Sequence, residues 1–204
     1  MKVLMFGWEF PPNNRGGLGT ACFGMTKALA KKGIKITFVL PRFSGNHEHL
    51  DILTTEGLVI TDKRFKVKYI GSPLMPYMTS GEYDYEYRSN NLKSIATSGG
   101  DLYGSTLFQE VERYADKARL IARFENFDVI HCHDWMTFKA GMIAKKASGK
   151  PLVVHIHATD FDRTGGNPDQ RVYDTEREGM HAADKVVAVS GYTKGMIVEH
   201  YGID

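Results

Sequence analysis

Residues 1–40 read MKVLMFGWEFPPNNRGGLGTACFGMTKALAKKGIKITFVL, and the order of residue types in them decides the fold. Val3 to Phe6 is a short apolar run of the kind that is buried on both faces of a parallel sheet. A Pro-Pro and Gly-rich turn follows. Leu18 to Lys32 then reads as a helix, with Phe23, Leu29 and Ala30 among its apolar positions and Gly33 as its C-cap. Ile34 to Leu40 supplies a second strand, closed by Pro41. Strand, Gly-rich turn, helix, glycine, strand is a βαβ unit, and right-handed crossover makes its two strands parallel. The expected fold is α/β, a Rossmann-like open parallel sheet with helices on both faces.

The same alternation resumes farther along the chain. From Ser105 to Phe124, the apolar residues Leu107, Val111, Tyr114, Ala118, Ile121 and Phe124 recur at three- and four-residue steps, one face of a long amphipathic helix that should cover the sheet. Val129 to Cys132 reads as a strand, Met136 to Ser148 as a helix and Leu152 to Ile156 as a strand. Asp169 to Ala183 is a further helix, Val186 to Val189 a strand and Thr193 to Tyr201 a last helix before Gly202. Between these halves, Ser44 to Gly104 is less regular, with a strand expected at Arg64 to Ile70 and a tyrosine-rich acidic loop at Tyr77 to Tyr87.

The bulk properties narrow the function classes. The 204 residues are 42% hydrophobic and 25% charged with a formal net charge of +2, the profile of a globular domain with no long-range field for nucleic acid or anionic membrane. Cys22 and Cys132 follow no CxxC or secreted-framework spacing, which argues against a disulfide scaffold and for a cytoplasmic home. The apolar start is interrupted by Trp8-Glu9-Phe10-Pro11-Pro12 before a signal core or membrane span is complete, so neither is expected.

In an open parallel sheet, ligands bind beyond the carboxyl ends of the strands. Trp8 to Gly19, His133-Asp134-Trp135 and His157 to Asn167 should therefore share one rim. Arg15-Gly16-Gly17-Leu18-Gly19-Thr20 lies between a strand and a helix. There the missing Cβ atoms and the helix N-terminus suit an anion such as a diphosphate, although glycines at such a place also serve tight turns. The run is neither a Walker loop nor GxGxxG. His131 and His133 lie on one face of a strand, and His155 and His157 repeat that geometry on the next. Two HxH pairs are what a metal-dependent hydrolase offers, which is the rival reading; a metal role is set aside because no carboxylate-rich second shell stands at ligand spacing. His131 and His155 read as hydrogen-bonded core histidines, whereas His133, Asp134 and His157 at the rim read as functional. Thr159 and Asp162 suit sugar hydroxyls or phosphate as well as a helix N-cap. Tyr83, Tyr85 and Tyr87 could stack on sugars or form an edge strand. Glu176-Arg177-Glu178, with Arg171 and Lys185, reads as a solvated helix face, and Cys132 as an inert buried thiol.

Taken in order, Met1 to Phe6, Trp8-Glu9-Phe10-Pro11-Pro12, Arg15-Gly16-Gly17-Leu18, His133-Asp134-Trp135, His157 and Ala182 to Ser190 make the chain resemble the GT-B glycosyltransferases of families 4 and 5, which include glycogen synthases. The resemblance implies two Rossmann-like domains with the active site between them, this chain being the N-terminal, acceptor-side domain and Asp204 falling where the interdomain linker starts. A fragment lacking the C-terminal nucleotide-sugar-binding domain is expected to be nearly inactive. The implied reaction is retaining transfer of a sugar, glucose by resemblance, from UDP- or ADP-glucose to an α-glucan or related acceptor, without metal or cofactor. By the same resemblance Gly16, Gly17 and Leu18 meet the donor diphosphate, and Arg15 stands for the family's lysine. His157 fixes the sugar, Asp134 orients hydroxyl groups, and His133, Trp135, Thr159 and Asp162 complete the substrate set. A non-catalytic carbohydrate-binding module is the third reading.

Overall fold

The computed structural model describes residues 1–11, 16–40, 65–69 and 105–204. Six strands form one sheet: β1 (Lys2–Phe6), β2 (Lys35–Leu40), β3 (Phe65–Tyr69), β4 (Val129–His133), β5 (Leu152–Ile156) and β6 (Lys185–Ala188), in the order β3-β2-β1-β4-β5-β6. Every pairing is parallel. The chain winds outward from β1 in one direction and returns to β4 on its other side, so β1 and β4 flank the switch point, where an open α/β sheet leaves a crevice. The α/β expectation holds, with each strand found within a residue or two of its expected position.

The helices among the described residues are α1 (Gly17–Lys31), α2 (Ser105–Phe124), α3 (Phe138–Ser148), α4 (Asp160–Thr164), α5 (Gln170–Ala182) and, after the last strand, α6 (Gly191–Tyr201). The pleat sorts the strands' side chains between the two faces. Phe6 meets the ring of Tyr114 on α2 edge-on, at 6.3 Å between centroids. Its register partner Cys132 faces Gly141 on α3, where an added Cβ would stand 2.3 Å from the Cys132 sulfur. That face is close-packed. Tyr114, fully buried, donates its hydroxyl proton towards the carbonyls of Gly7 and Val39, both at 3.1 Å, and so ties α2 to the ends of β1 and β2. The opposite face carries Phe38, His131, His133 and His155, with α1 lying over it: Cys22 of α1 comes within 4.8 Å of His133.

Capping explains how the element ends differ from the expected ones. Gly33, at φ +79°, takes the left-handed conformation that ends α1. The helix expected at Met136 is preceded by a 3-10 turn, Trp135–Thr137, and α3 proper starts at Phe138. Asp169 and Ser190 cap α5 and α6 by accepting hydrogen bonds from Arg171 N and Thr193 N. The stretch from His157 to Asn167, expected as a rim loop, contains α4. Two further expectations are corrected. Glu176 is buried on α5 rather than solvated, although Arg177 and Glu178 beside it are exposed. His131 and His155 are not satisfied core histidines, because His131 Nε2 and His155 Nδ1 have no hydrogen-bond partner among the described residues and both residues are partly exposed.

Candidate active site at the sheet switch point

The β1 side of the crevice is built from backbone. Gly16 is the N-cap of α1 and contributes no side-chain cap bond. Gly17 is exposed, and a Cβ there would meet nothing within 4 Å, so the helix start opens onto free space. A carboxylate from the preceding turn steadies it: Glu9, itself buried, accepts a hydrogen bond from Gly19 N at 2.7 Å. The N-terminal amides and the helix dipole make this end suited to an anion. Leu18 is buried, so its side chain anchors α1 in the core and its amide is what it can offer a ligand. Arg15 lies outside the described residues, as does the tyrosine loop at 77–87.

The β4 and β5 side is built from side chains. Asp134 follows β4 with φ +58°, the single described non-glycine residue in the left-handed region, a conformation that costs energy and is held by its surroundings. Its amide donates to His155 O at 3.0 Å, and its carboxylate Oδ1 accepts from His157 N at 2.7 Å. These bonds lock the ends of β4 and β5 together. Thr137 closes the turn, its hydroxyl donating to the carbonyls of His133 and Asp134. Burial pushes Asp134 up to about 6, against the Arg163 charge and the N–H groups of His157 and Ala158, which pull it down. At neutral pH it is a buried carboxylate whose charge is balanced largely by amides and one guanidinium.

His157 is half-buried and stands in front of His133, with His133 Nδ1 and His157 Nε2 3.1 Å apart and sharing one proton. Burial holds His157 down to about 4, so at neutral pH it is an uncharged ring able to donate or accept a hydrogen bond. Behind it, burial and the neighbouring rings keep His133 well below its ordinary range and bring His131 down to about 3. The four imidazoles form one cluster, with His155 and His157 stacked at 4.3 Å and His131 and His133 tilted at 4.4 Å between centroids.

A buried polar network supports this side from below. Arg163 on α4 donates to Ala158 O at 2.8 Å and pairs with both Asp160 and Glu176. Glu176 also accepts from the Tyr201 hydroxyl and from Asp160 N, and Asp160 accepts from Asp169 N at 2.7 Å. Burial raises Glu176 to about 7 although Arg163 and Tyr201 act to lower it. Every member of the network has a partner, the condition under which buried charges fix a unique geometry.

Three of the expected substrate contacts are engaged elsewhere. Trp135 is buried between Trp8, edge-on at 6.2 Å, and Phe108, at 5.4 Å, as part of the core rather than a platform at the rim. Thr159 and Asp162 form a capping box on α4: the Asp162 carboxylate accepts from both the amide and the hydroxyl of Thr159. His133 is fully buried and reaches the rim through His157. Conversely, Glu9, Cys22, Arg163 and Glu176 belong to the site's framework, although none of them stands in the expected substrate set. Glu9 left a legible signal, an acid just beyond an apolar strand and before a glycine-rich helix start.

A family model described as the starch synthase catalytic domain matches residues 2–204. An uncharacterised glycosyltransferase of Methanocaldococcus jannaschii is 28% identical over 185 residues, which cover 90% of this chain and 36% of that protein. The glycogen synthase of Mycobacterium tuberculosis is 23% identical over 211 residues, 99% of this chain and 45% of the relative. The solved catalytic domain of starch synthase IV from Arabidopsis thaliana, bound to ADP and acarbose, superposes with a TM-score of 0.57 at 16% identity, over 98% of this chain and 50% of that one, a likeness of fold. The chain thus spans less than half the length of the two relatives. No helix among the described residues is long and apolar enough to cross a membrane. With its Rossmann-like sheet, its glycine-opened helix end and its Asp134–His157 clamp facing each other across the switch point, the chain belongs to the starch synthase catalytic domain family of glycosyltransferases.

Proposed function

We propose that this chain is the N-terminal, acceptor-side half of a retaining glycosyltransferase that moves glucose from UDP- or ADP-glucose to an α-glucan or related acceptor in the cytoplasm. The carrying observation is the Asp134–His157 clamp, which holds an uncharged imidazole at the mouth of the crevice beside the open N-terminus of α1. The starch synthase neighbour was solved with a nucleoside diphosphate and an oligosaccharide analogue, chemistry that fits an anion-binding helix end next to a hydrogen-bonding rim.

In this reading the amides of Gly17 and Leu18 meet the leaving diphosphate, with Arg15 adding charge. The stabilisation is electrostatic and preorganised, because Glu9 has already fixed the helix end. His157 bonds a hydroxyl of the sugar. Asp134 acts by holding His157 through its amide and by placing negative charge near the developing oxocarbenium ion. Neither a metal nor a cofactor enters the chemistry. A C-terminal domain supplies the nucleotide pocket, and this half alone transfers sugar at a very low rate.

The test is transfer from radiolabelled UDP-glucose and ADP-glucose to glycogen by the whole protein, with and without EDTA. EDTA-resistant transfer that His157→Ala removes supports the reading. Transfer that collapses with EDTA contradicts the metal-free mechanism, and equal transfer by wild type and His157→Ala contradicts the assigned site.

A further inference from the structure

The proposed reaction uses His157 and leaves unexplained why a thiol and a second imidazole stand against it. Cys22 comes from the buried stripe of α1, His133 from the end of β4 and His157 from just beyond β5; each offers one ligand atom, and these atoms lie within 4.8 Å of one another. Cys22 and His133 are fully buried, and Cys22 is a free thiol. His133 Nδ1 and His157 Nε2 are 3.1 Å apart. Donors around a tetrahedral zinc, at about 2.0–2.3 Å from it, stand roughly 3.3–3.8 Å from each other, so the two rings are near coordinating separation and the sulfur is at most about 1 Å too far.

The charges around the triad favour a cation. Glu9 and Asp134 both act electrostatically on the Cys22 sulfur. Among the described residues no lysine or arginine acts on the Cys22 sulfur, and Arg163 reaches the region through its influence on Asp134. Among the described residues His133 Nε2 is buried without a hydrogen-bond partner, as are His131 Nε2 and His155 Nδ1 behind it. Leaving buried donors or acceptors unmet is costly. The nitrogens that would meet the cation are the facing pair, His133 Nδ1 and His157 Nε2, and with the buried Cys22 thiol they make a ligand set of the kind that soft and borderline divalent metals prefer.

We propose that Cys22, His133 and His157 form a binding site for one thiophilic divalent cation of the zinc class, and that its occupation withdraws His157 from sugar transfer. The sulfur and two imidazole nitrogens each form one coordinate bond to the cation. The Cys22 S–H bond breaks and its proton goes to water. The proton shared by the two rings moves to the outer nitrogen of the ring that carried it, and water or solvent hydroxide completes the coordination. The site is inhibitory rather than catalytic, and that second half rests on the glycosyltransferase reading, whereas the binding does not.

Cobalt(II) is the probe for binding, titrated into the full chain under reducing conditions and followed by absorption, with zinc then used to displace it. The expected result is one equivalent of cobalt with tetrahedral ligand-field bands and a thiolate-to-cobalt charge-transfer band, both lost on adding zinc. Cys22→Ser should remove the charge-transfer band and weaken zinc by about tenfold or more, and His157→Gln should weaken it similarly, while His131→Gln changes it less than about threefold. In the whole protein, zinc should inhibit transfer by wild type and spare Cys22→Ser. Cobalt bound without the charge-transfer band, or binding lost in His131→Gln but kept in Cys22→Ser, overturns the proposal in favour of the neighbouring His131, His133 and His155 set. The absence of stoichiometric binding overturns it altogether. Zinc inhibition undiminished in Cys22→Ser overturns the inhibitory half, and absent transfer alongside an intact cobalt spectrum contradicts the functional reading while supporting the site.

Discussion

The two walls of the crevice are built on opposite plans. After β1 the chain presents backbone: an exposed glycine with nothing near its missing Cβ, and one buried acid, Glu9, bracing the helix behind it. After β4 and β5 it presents side chains, all interlocked, with a left-handed aspartate gripping the amide of His157 and a four-residue polar network beneath. The first wall is suited to a spread-out anion, where amides and a dipole suffice. The second is suited to a neutral, directional ligand such as a sugar, where a ring must be held at a fixed angle. Preorganisation therefore has different costs on the two walls, and substitutions should separate them.

The largest effect is expected from breaking the clamp. Asp134→Ala removes the acceptor of His157 N and the buried charge together and should lower kcat by about 10²–10³, the range seen when a preorganised polar group is removed. It should also destabilise the fold, because Asp134 spans two strand ends. Asp134→Asn keeps one acceptor and should retain most of the stability while losing rate. Steady-state kinetics paired with thermal melts separates the two contributions; unchanged kcat in Asp134→Ala would break the comparison.

Acid should weaken the side-chain wall next. His131 at about 3, His155 and His157 at about 4 and His133 well below its ordinary value are all depressed in the fold. Their contribution is present above the unfolded value of about 6.5 and is lost as pH falls towards 4. Asp134 and Glu176, raised to about 6 and about 7, work the other way, being most favourable below their unfolded values near 4 and losing stability as pH rises through 6 to 7. Four rings outweigh two carboxyls. The melting temperature should therefore drop between pH 6.5 and 4.5, and replacing both His131 and His155 with Gln should flatten that slope.

Smaller effects sharpen the contrast from the backbone side. Gly17→Ala has room for its Cβ and favours helix, so its melting temperature should be unchanged or slightly higher, while the KM for donor rises by about tenfold as the methyl group stands where the diphosphate approaches. Smallest is Glu9→Gln, which keeps an acceptor for Gly19 N but loses charge. It should cost about 1 kcal/mol of stability and raise the donor KM a few-fold, measurable by denaturant unfolding and initial rates.

Much of this was legible from local patterns. Val3 to Phe6, the period of Ser105 to Phe124 and the alternation after Phe124 led to the parallel sheet because each depends on neighbouring residues and on burial of one face or two. What was misread depends on residues far apart. Glu176 looks like a surface charge beside Arg177 and Glu178, but Arg163 and Tyr201 reach it from other helices and make its burial affordable. Trp135 belongs to the substrate set that the resemblance implies, but Trp8 and Phe108 close on it in the core. Thr159 and Asp162 carry a local signal, the three-residue spacing of a capping box, and of the two readings open to them, sugar contact or helix N-cap, α4 takes up the second. The shared rim of the Gly-rich turn, Asp134 and His157 followed from the strand-end rule, whereas the thiol of Cys22 beside His157 required knowing which face α1 covers.

The central claim is a division of labour, with the helix end holding the diphosphate and His157 holding the sugar. It is tested most directly in the whole protein by measuring the donor KM and kcat beside the inhibition constant of the free nucleoside diphosphate, in wild type, Gly17→Ala and His157→Ala. The account predicts that Gly17→Ala weakens donor and diphosphate alike, by about tenfold, and that His157→Ala lowers kcat by about 10² or more while leaving diphosphate inhibition within about threefold of wild type. Loss of diphosphate inhibition in His157→Ala, or diphosphate inhibition untouched in Gly17→Ala, would contradict it.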